Sequence, residues 1–316
     1  LPDSIGLLKS LNYLNLEDND LTSLPNSIGQ LTSVFNLFLG YNLFIGLPDS
    51  IGRMTSVINL KVDYTRLETL PNTIGQLTEL RYLILENNYL TSLPDAISQL
   101  ARLIILDLSD NQLTTLPKSI GQLTSLEQLW VFNNQLTSIP DSIGRLSSLT
   151  HLDFRDNQLT SIPDSIGQLT FLILLDLGDN QLTSIPASIG QLTSLLYLYL
   201  TGNQLTFIPD SIGKLTSLNF LYVNRNRLTS LPETITRLSF LKILNIGGNL
   251  FNSLPNFIGQ LAKLEDLYLS TNPLVSLPKS LKKLKKLQSA RVDKRLNKDP
   301  VVEDWIKRGI KIEFKR

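Results

Sequence analysis

Apolar positions along this chain follow one short formula. In Leu149–Phe171, Leu152 and Phe154 alternate with His151, Asp153 and Arg155. That period of two puts one set on the inner and one on the outer face of a short strand. Ile166 and Leu169, three apart in "SIGQL", predict a single helical or 3-10 turn with both side chains inward. Pro163 sits between the two elements and presets φ for the return leg, and the acid that follows, Asp164, suits the first turn. The formula then starts again. Prolines fall every 23 residues from Pro2 to Pro278, with only Pro273 and Pro300 outside the series. Asparagines keep the same interval from Asn19 to Asn272, broken once by Thr65. Such self-similarity marks a repeat architecture and overrides the usual expectation of two domains for this length. One coil cannot bury its apolar face alone, so stacked coils must share a continuous core. The recurring Asn, with two donors and an acceptor, is suited to the buried backbone groups of adjacent coils.

The motif L-x-x-L-x-L-x-x-N-x-L-x-x-L-P-x-x-I-G-x-L-x-x, followed with conservative swaps by Leu149–Phe171, resembles the leucine-rich repeat. Its "LPxxIGxL" half is similar to the 23-residue class of bacterial repeat proteins, plant intracellular Ras-group-related proteins and Roco-type proteins. The resemblance implies an α/β right-handed solenoid, a horseshoe with a parallel concave sheet and short helical or 3-10 turns on the convex side. It also implies a partner-binding scaffold, since relatives mostly serve as such, some near small GTPases or kinases. About twelve repeats of 23 residues are expected over 1–298. Residues 299–316 read as a cap: Asp299 caps a helix opening with Pro300, Gly309 stops it, a strand follows at Ile310–Phe314, and Trp305 packs over the last coil. The "YNLFIGLP" segment before Thr65 loosens the N-terminal ladder. Leu1 begins in mid-repeat with neither a polar cap nor an initiating Met, which suggests a trimmed or processed chain.

Composition narrows the picture further. The chain is 42% hydrophobic with a net charge of +1, and no apolar run approaches the ~18 residues that span a bilayer. With no cysteine, disulfide-clamped end caps, thiol catalysis and zinc–thiolate sites are excluded. An intracellular setting, cytoplasmic or bacterial, is favoured, with a bacterial secreted or surface protein as the alternative. Charge is uneven: from Lys279 onward there are 14 basic and 5 acidic residues, leaving 15 basic and 23 acidic before it. In "KSLKKLKKLQ" Leu281, Leu284 and Leu287 keep the repeat phase, so the lysines face outward. They read first as a solvated end face, and second as a patch for nucleic acid or an anionic surface.

With the scaffold accounted for, function belongs where repeats differ, on the outward strand positions. All nine tyrosines fall there or just beside them, although tyrosine also simply suits strands. Two aromatic patches stand out, Trp130 with Phe132, and Tyr197, Tyr199, Phe220 and Tyr222, whose matching positions in adjacent coils predict ~5 Å spacing. Asp153 and Asp176, expected as strand neighbours, form an outward acidic row with Asp107, and Asp110, Asp156 and Asp179 form another. Like charges side by side cost stability, so tolerating them hints at a basic partner. A calcium site on a flat sheet is the weaker alternative. His151 and Arg155 complete the candidate partner-binding set. His151 beside Asp153 invites a general-base reading, but neither a nucleophilic Cys nor a phosphate-binding loop accompanies it. The sequence therefore predicts a non-enzymatic module without cofactor or metal that binds a protein or peptide on its concave face. The alternatives are the recognition arm of a larger enzyme or receptor, and binding of nucleic acid through the basic end.

Overall fold

Each proline carbonyl begins a turn: the amides of Ile166 and Ile212 donate to Pro163 and Pro209 at 3.1 and 3.0 Å. The prolines stand just outside the helical segment in extended conformation, Pro209 at φ −66° and ψ 150°, and no side chain caps the turn. Thirteen five-residue 3-10 helices follow, from Asp3–Leu7 to Lys279–Lys283. One turn suffices to carry Ile212 into the core and return the chain toward the next strand. In this computed structural model, which describes residues 1–315, every repeat has this strand-and-turn form.

The chain divides into two compact units, Leu1–Gln158 and Leu159–Arg316. In the first, β1 (Tyr13–Asn15), β2 (Asn36–Phe38), β3 (Asn59–Lys61), β4 (Tyr82–Ile84), β5 (Ile105–Asp107), β6 (Gln128–Trp130) and β7 (His151–Asp153) pair in parallel in chain order. In the second, β8 (Leu174–Asp176), β9 (Tyr197–Tyr199), β10 (Phe220–Tyr222), β11 (Ile243–Asn245), β12 (Asp266–Tyr268) and β13 (Ser289–Asp293) do the same. Every one of these pairs matches a residue with the one 23 positions on, as in Leu14↔Leu37 and Leu198↔Leu221. The fold is therefore the expected parallel solenoid with short 3-10 turns. The strand expected at Ile310–Phe314 is β14 (Lys311–Lys315), which pairs in parallel with β13.

The asparagines form a ladder within each unit. Asn226 donates to the carbonyls of Leu200, Val223 and Asn224 at 2.8, 3.0 and 3.2 Å and accepts the amide of Leu205 at 3.0 Å. At the irregular rung, the buried Thr65 hydroxyl donates to the Asn88 carboxamide oxygen. Asn19, in the first coil of the described residues, is exposed, and its side chain donates only to the carbonyls of Leu16 and Glu17 of its own coil. Across the turns, neighbouring coils approach so closely that a Cβ on Gly213 would lie 2.4 Å from the Thr234 carbonyl oxygen. That contact requires glycine at the centre of "SIGKL".

Beyond the ladder stands an acid. Asp299 accepts the Leu277 amide at 2.9 Å with one oxygen and the Val301 amide at 2.8 Å with the other, so it both satisfies an amide of the last coil and caps α1 (Pro300–Lys307). Trp305 is fully buried, and Arg308 ties the helix to the carbonyls of Lys282 and Leu284.

Candidate functional site

The strand faces carry the side chains that the core does not use. On the second unit, the rings of Tyr197 and Phe220 stack at 4.7 Å and 8°, and those of Tyr199 and Tyr222 at 5.0 Å and 24°. Both pairs follow from the parallel register, which sets identical outward positions of β9 and β10 side by side. All four rings are half-buried. Burial, reinforced by Asp176, holds the Tyr199 phenol above its usual range, and burial together with Tyr199 does the same for Tyr222.

On the first unit, Trp130 lies 6.2 Å from the His151 ring, tilted by 36°, and the Arg155 guanidinium sits 4.5 Å over Phe132. The Thr150 hydroxyl is 2.9 Å from His151 Nδ1. Arg155 also pairs with Asp153, Nε to Oδ2 at 3.3 Å. Asp153 was expected on an exposed acidic row, yet it is only 3% exposed. Its other oxygen accepts the Arg155 amide at 3.0 Å, and Asp176, half-buried, accepts the Gly178 amide at 2.9 Å. Asp107 does likewise for Ser109, Asn15 for Glu17 and Asn245 for Gly247. Where the strand ends, the amide two residues on needs an acceptor, and a short Asp or Asn side chain supplies it. This local role accounts for Asp153 and Asp176 without a basic partner.

The further row has a local cause as well. Asp110, Asp156 and Asp179 occupy left-handed backbone at φ 55°, 52° and 48°, a region that Asp, Asn and Gly tolerate best. The exceptions at this repeat position are Tyr41, Tyr64, Arg225 and Thr271.

Reading along the chain missed a cluster on β3 and the loops beside it. Tyr41 and Tyr64 stack at 4.7 Å and 3°, Lys61 pairs with Glu17 at 3.1 Å and Asp63 at 3.3 Å, and the Tyr64 hydroxyl donates to Glu86 at 3.2 Å. Burial raises the carboxyl pKa of Glu86, Asp107 and Asp63, with Asp107 adding to the effect at Glu86 and Lys61 opposing it at Asp63. Glu17, Asp63 and Glu86 are separated by multiples of 23, so aligning the repeats in columns would have found them. The lysines of "KSLKKLKKLQ" are exposed while Leu281, Leu284 and Leu287 are buried, as their phase required. Among the described residues no group of His, Cys, Asp and Glu is arranged to hold a metal ion, and no helix is long and apolar enough to cross a membrane.

These ladders and turns define a leucine-rich repeat protein, and comparison with known proteins agrees. Residues 68–156, 141–226 and 210–304 match the model of a leucine-rich repeat region, and residues 10–31 match that of a single leucine-rich repeat. A leucine-rich repeat protein of Leptospira interrogans is 37% identical, with a TM-score of 0.82 over 99% of this chain and 86% of its own. The chain belongs to the leucine-rich repeat family. A plant peptide hormone receptor, solved in complex with its peptide, is 26% identical with a TM-score of 0.72, covering 93% of this chain and 57% of the receptor. The Arabidopsis receptor kinase HAESA, in complex with a peptide hormone and a co-receptor, is 29% identical with a TM-score of 0.66, covering 93% and 60%. The chain thus spans little more than half of these receptor chains. No curated protein matches the sequence. Leucine-rich repeat proteins are typically protein-interaction modules, and neither matching family model is that of an enzyme.

Proposed function

We propose that this protein is a non-enzymatic binding module of the 23-residue "LPxxIGxL" class, with a protein or peptide partner seated on the strand side. The observation that carries this reading is the double stack of Tyr197 on Phe220 and Tyr199 on Tyr222. The core beneath is complete without these rings, since Leu198 and Leu221 fill it. Large, rigid, half-exposed aromatics concentrate binding energy at the centres of interfaces. Trp130, Phe132, His151 and Arg155 form the corresponding patch on the first unit, where Asp153 positions the backbone, and Asp176 holds the backbone after β8 on the second unit in the same way. Plant receptors of similar fold, solved with peptide hormones, support this reading, and they also favour a second one, the recognition arm of a larger receptor.

The test is affinity capture and quantitative binding with Tyr199→Ala plus Tyr222→Ala, against Gln168→Ala on an exposed 3-10 turn. Binding weakened at least about tenfold by the tyrosine pair and unchanged by Gln168→Ala is expected. Loss with Gln168→Ala alone would put the interface on the turn side and refute the proposal.

A further inference from the structure

The second unit has a hollow of about 260 Å³ on its strand side, lined by Arg225, Gly247, Gly248, Tyr268, Arg291 and Lys315, with side chains of Asn224, Asn245, Ser270 and Thr271 at its edges. It exists because of one sequence feature. The coil "NIGGNL" is the only one with glycine at both positions between the buried residue after its strand and the ladder Asn, so no side chain rises there. The residues around the gap are rich in donors. Among the described residues three cations line it and no carboxylate does. The carboxamide oxygen of Asn224 already accepts the Thr201 hydroxyl at 2.8 Å, and that of Asn245 accepts the Gly247 amide at 3.1 Å. Both therefore have NH2 groups to offer. Arg225 and Thr271 hold the left-handed position usually given to Asp, Asn or Gly, at φ 56° and 62°. An arginine there carries a backbone cost that Asp, Asn or Gly would not.

A carboxylate already sits at the rim. Glu313 of β14 accepts Arg291 Nε at 2.7 Å and pairs with Lys315 at 2.9 Å. Those two contacts, Lys315 first, hold its carboxyl below the usual range. Arg225 is tied only at its edge, 3.3 Å from Asp179, and is two-thirds exposed. The volume is smaller than the ~300 Å³ at which pockets begin to enclose whole ligands, so it suits one side chain of a longer one.

We propose that this hollow binds the carboxylate side chain of an Asp or Glu in a peptide whose apolar residues lie on the Tyr199–Tyr222 stack, and that Glu313 competes for the same cations. The assignment rests on the strand side being the peptide-binding face. Arg225 is the less engaged arm of the site: only its edge meets Asp179, and its guanidinium can take a further carboxylate through two parallel hydrogen bonds. Arg291 and Lys315 are the arms that Glu313 already occupies.

The experiment follows the backbone amide shifts of Gly247 and Gly248 in the full chain at low salt, titrated with N-acetyl-Leu-Glu-Leu-amide, its glutamine counterpart and inorganic phosphate. Saturable shifts with the glutamate peptide and none with the glutamine peptide are expected. Arg225→Gln or Lys315→Gln should weaken binding at least about fivefold, through loss of a charge-assisted hydrogen bond. Glu313→Gln should tighten it at least about threefold by freeing two cations. Lys214→Gln removes the same charge from a 3-10 turn and should change nothing. Absence of saturable shifts, equal binding of the glutamine peptide, equal weakening by Lys214→Gln, or no tightening with Glu313→Gln would overturn the proposal. Tighter binding of phosphate than of the glutamate peptide would overturn the assignment to a carboxylate. A failed titration alongside tyrosine-dependent partner binding removes this subsite alone, whereas binding insensitive to the tyrosine pair removes the binding face itself.

Discussion

Asn157→Ala is the perturbation whose cost can be worked most directly from the ladder. The carboxamide of Asn157 donates to the carbonyls of Val131, Phe154 and Arg155 at 3.0, 3.1 and 3.2 Å and accepts the Leu136 amide at 2.9 Å. The residue is 8% exposed, and Leu136, whose amide loses its partner in the variant, is fully buried. An unsatisfied buried amide costs about 1–3 kcal/mol, and three carbonyls lose a donor as well, so about 2–3 kcal/mol is expected. Asn19→Ala is the matched control, because that exposed side chain reaches only the carbonyls of Leu16 and Glu17, which water can satisfy. It should cost no more than ~0.5 kcal/mol. Repeat arrays can unfold in parts, so a urea melt should be read together with hydrogen exchange at the Leu136 amide. The melt should shift to lower urea, and protection at Leu136 should fall at least about thirtyfold, which corresponds to ~2 kcal/mol. Equal melts for the two variants would refute the ladder as a source of stability, whatever its geometry.

Two further outcomes follow from buried groups. Burial raises the Asp107 carboxyl pKa, so the native state binds this proton more tightly than the unfolded chain. Its contribution to stability is then present below about pH 4 and is lost as pH rises through the folded-state value. Asp107→Asn keeps the acceptor for the Ser109 amide, so it should stabilise the protein at pH 7, with the gain vanishing in melts near pH 3; destabilisation at pH 7 would contradict the sign. Trp305→Ala should cost about 3–5 kcal/mol because the side chain is fully buried, and hydrogen exchange should report the loss in β13 and β14 first. Unchanged protection in those strands would show that α1 does not hold the end of the ladder.

How much was legible can be judged from particular residues. Tyr197 and Phe220 were readable as neighbours because a fixed period in a parallel stack places residue i beside i+23, without any knowledge of distant packing. The Asn ladder was readable for the same reason. Asp153 was misjudged because alternation reports the direction in which a side chain leaves the strand, not what folds back over it. Arg155 and the amide demand at the strand end decide that, and both depend on the backbone turn. Glu86 was missed, and Tyr64 was read only as one of nine outward tyrosines, because both lie in loops, where no period of two marks the outward face.

The repeat itself therefore determined the fold, the register, the core and the columns from which a binding surface is built, since a coil of constant length leaves its residues few places to go. Tertiary structure alone decided where those columns are interrupted. Strand β14 joins β13 with an offset of 22 rather than 23, outside the repeat's phase, and so brings Glu313 and Lys315 beside Arg291. The hollow over Gly247 and Gly248 likewise needs Arg225 and Thr271 from neighbouring coils and Lys315 from the terminal strand. A cavity is set by the relative placement of surfaces from several coils, and no local pattern within one coil carries that information.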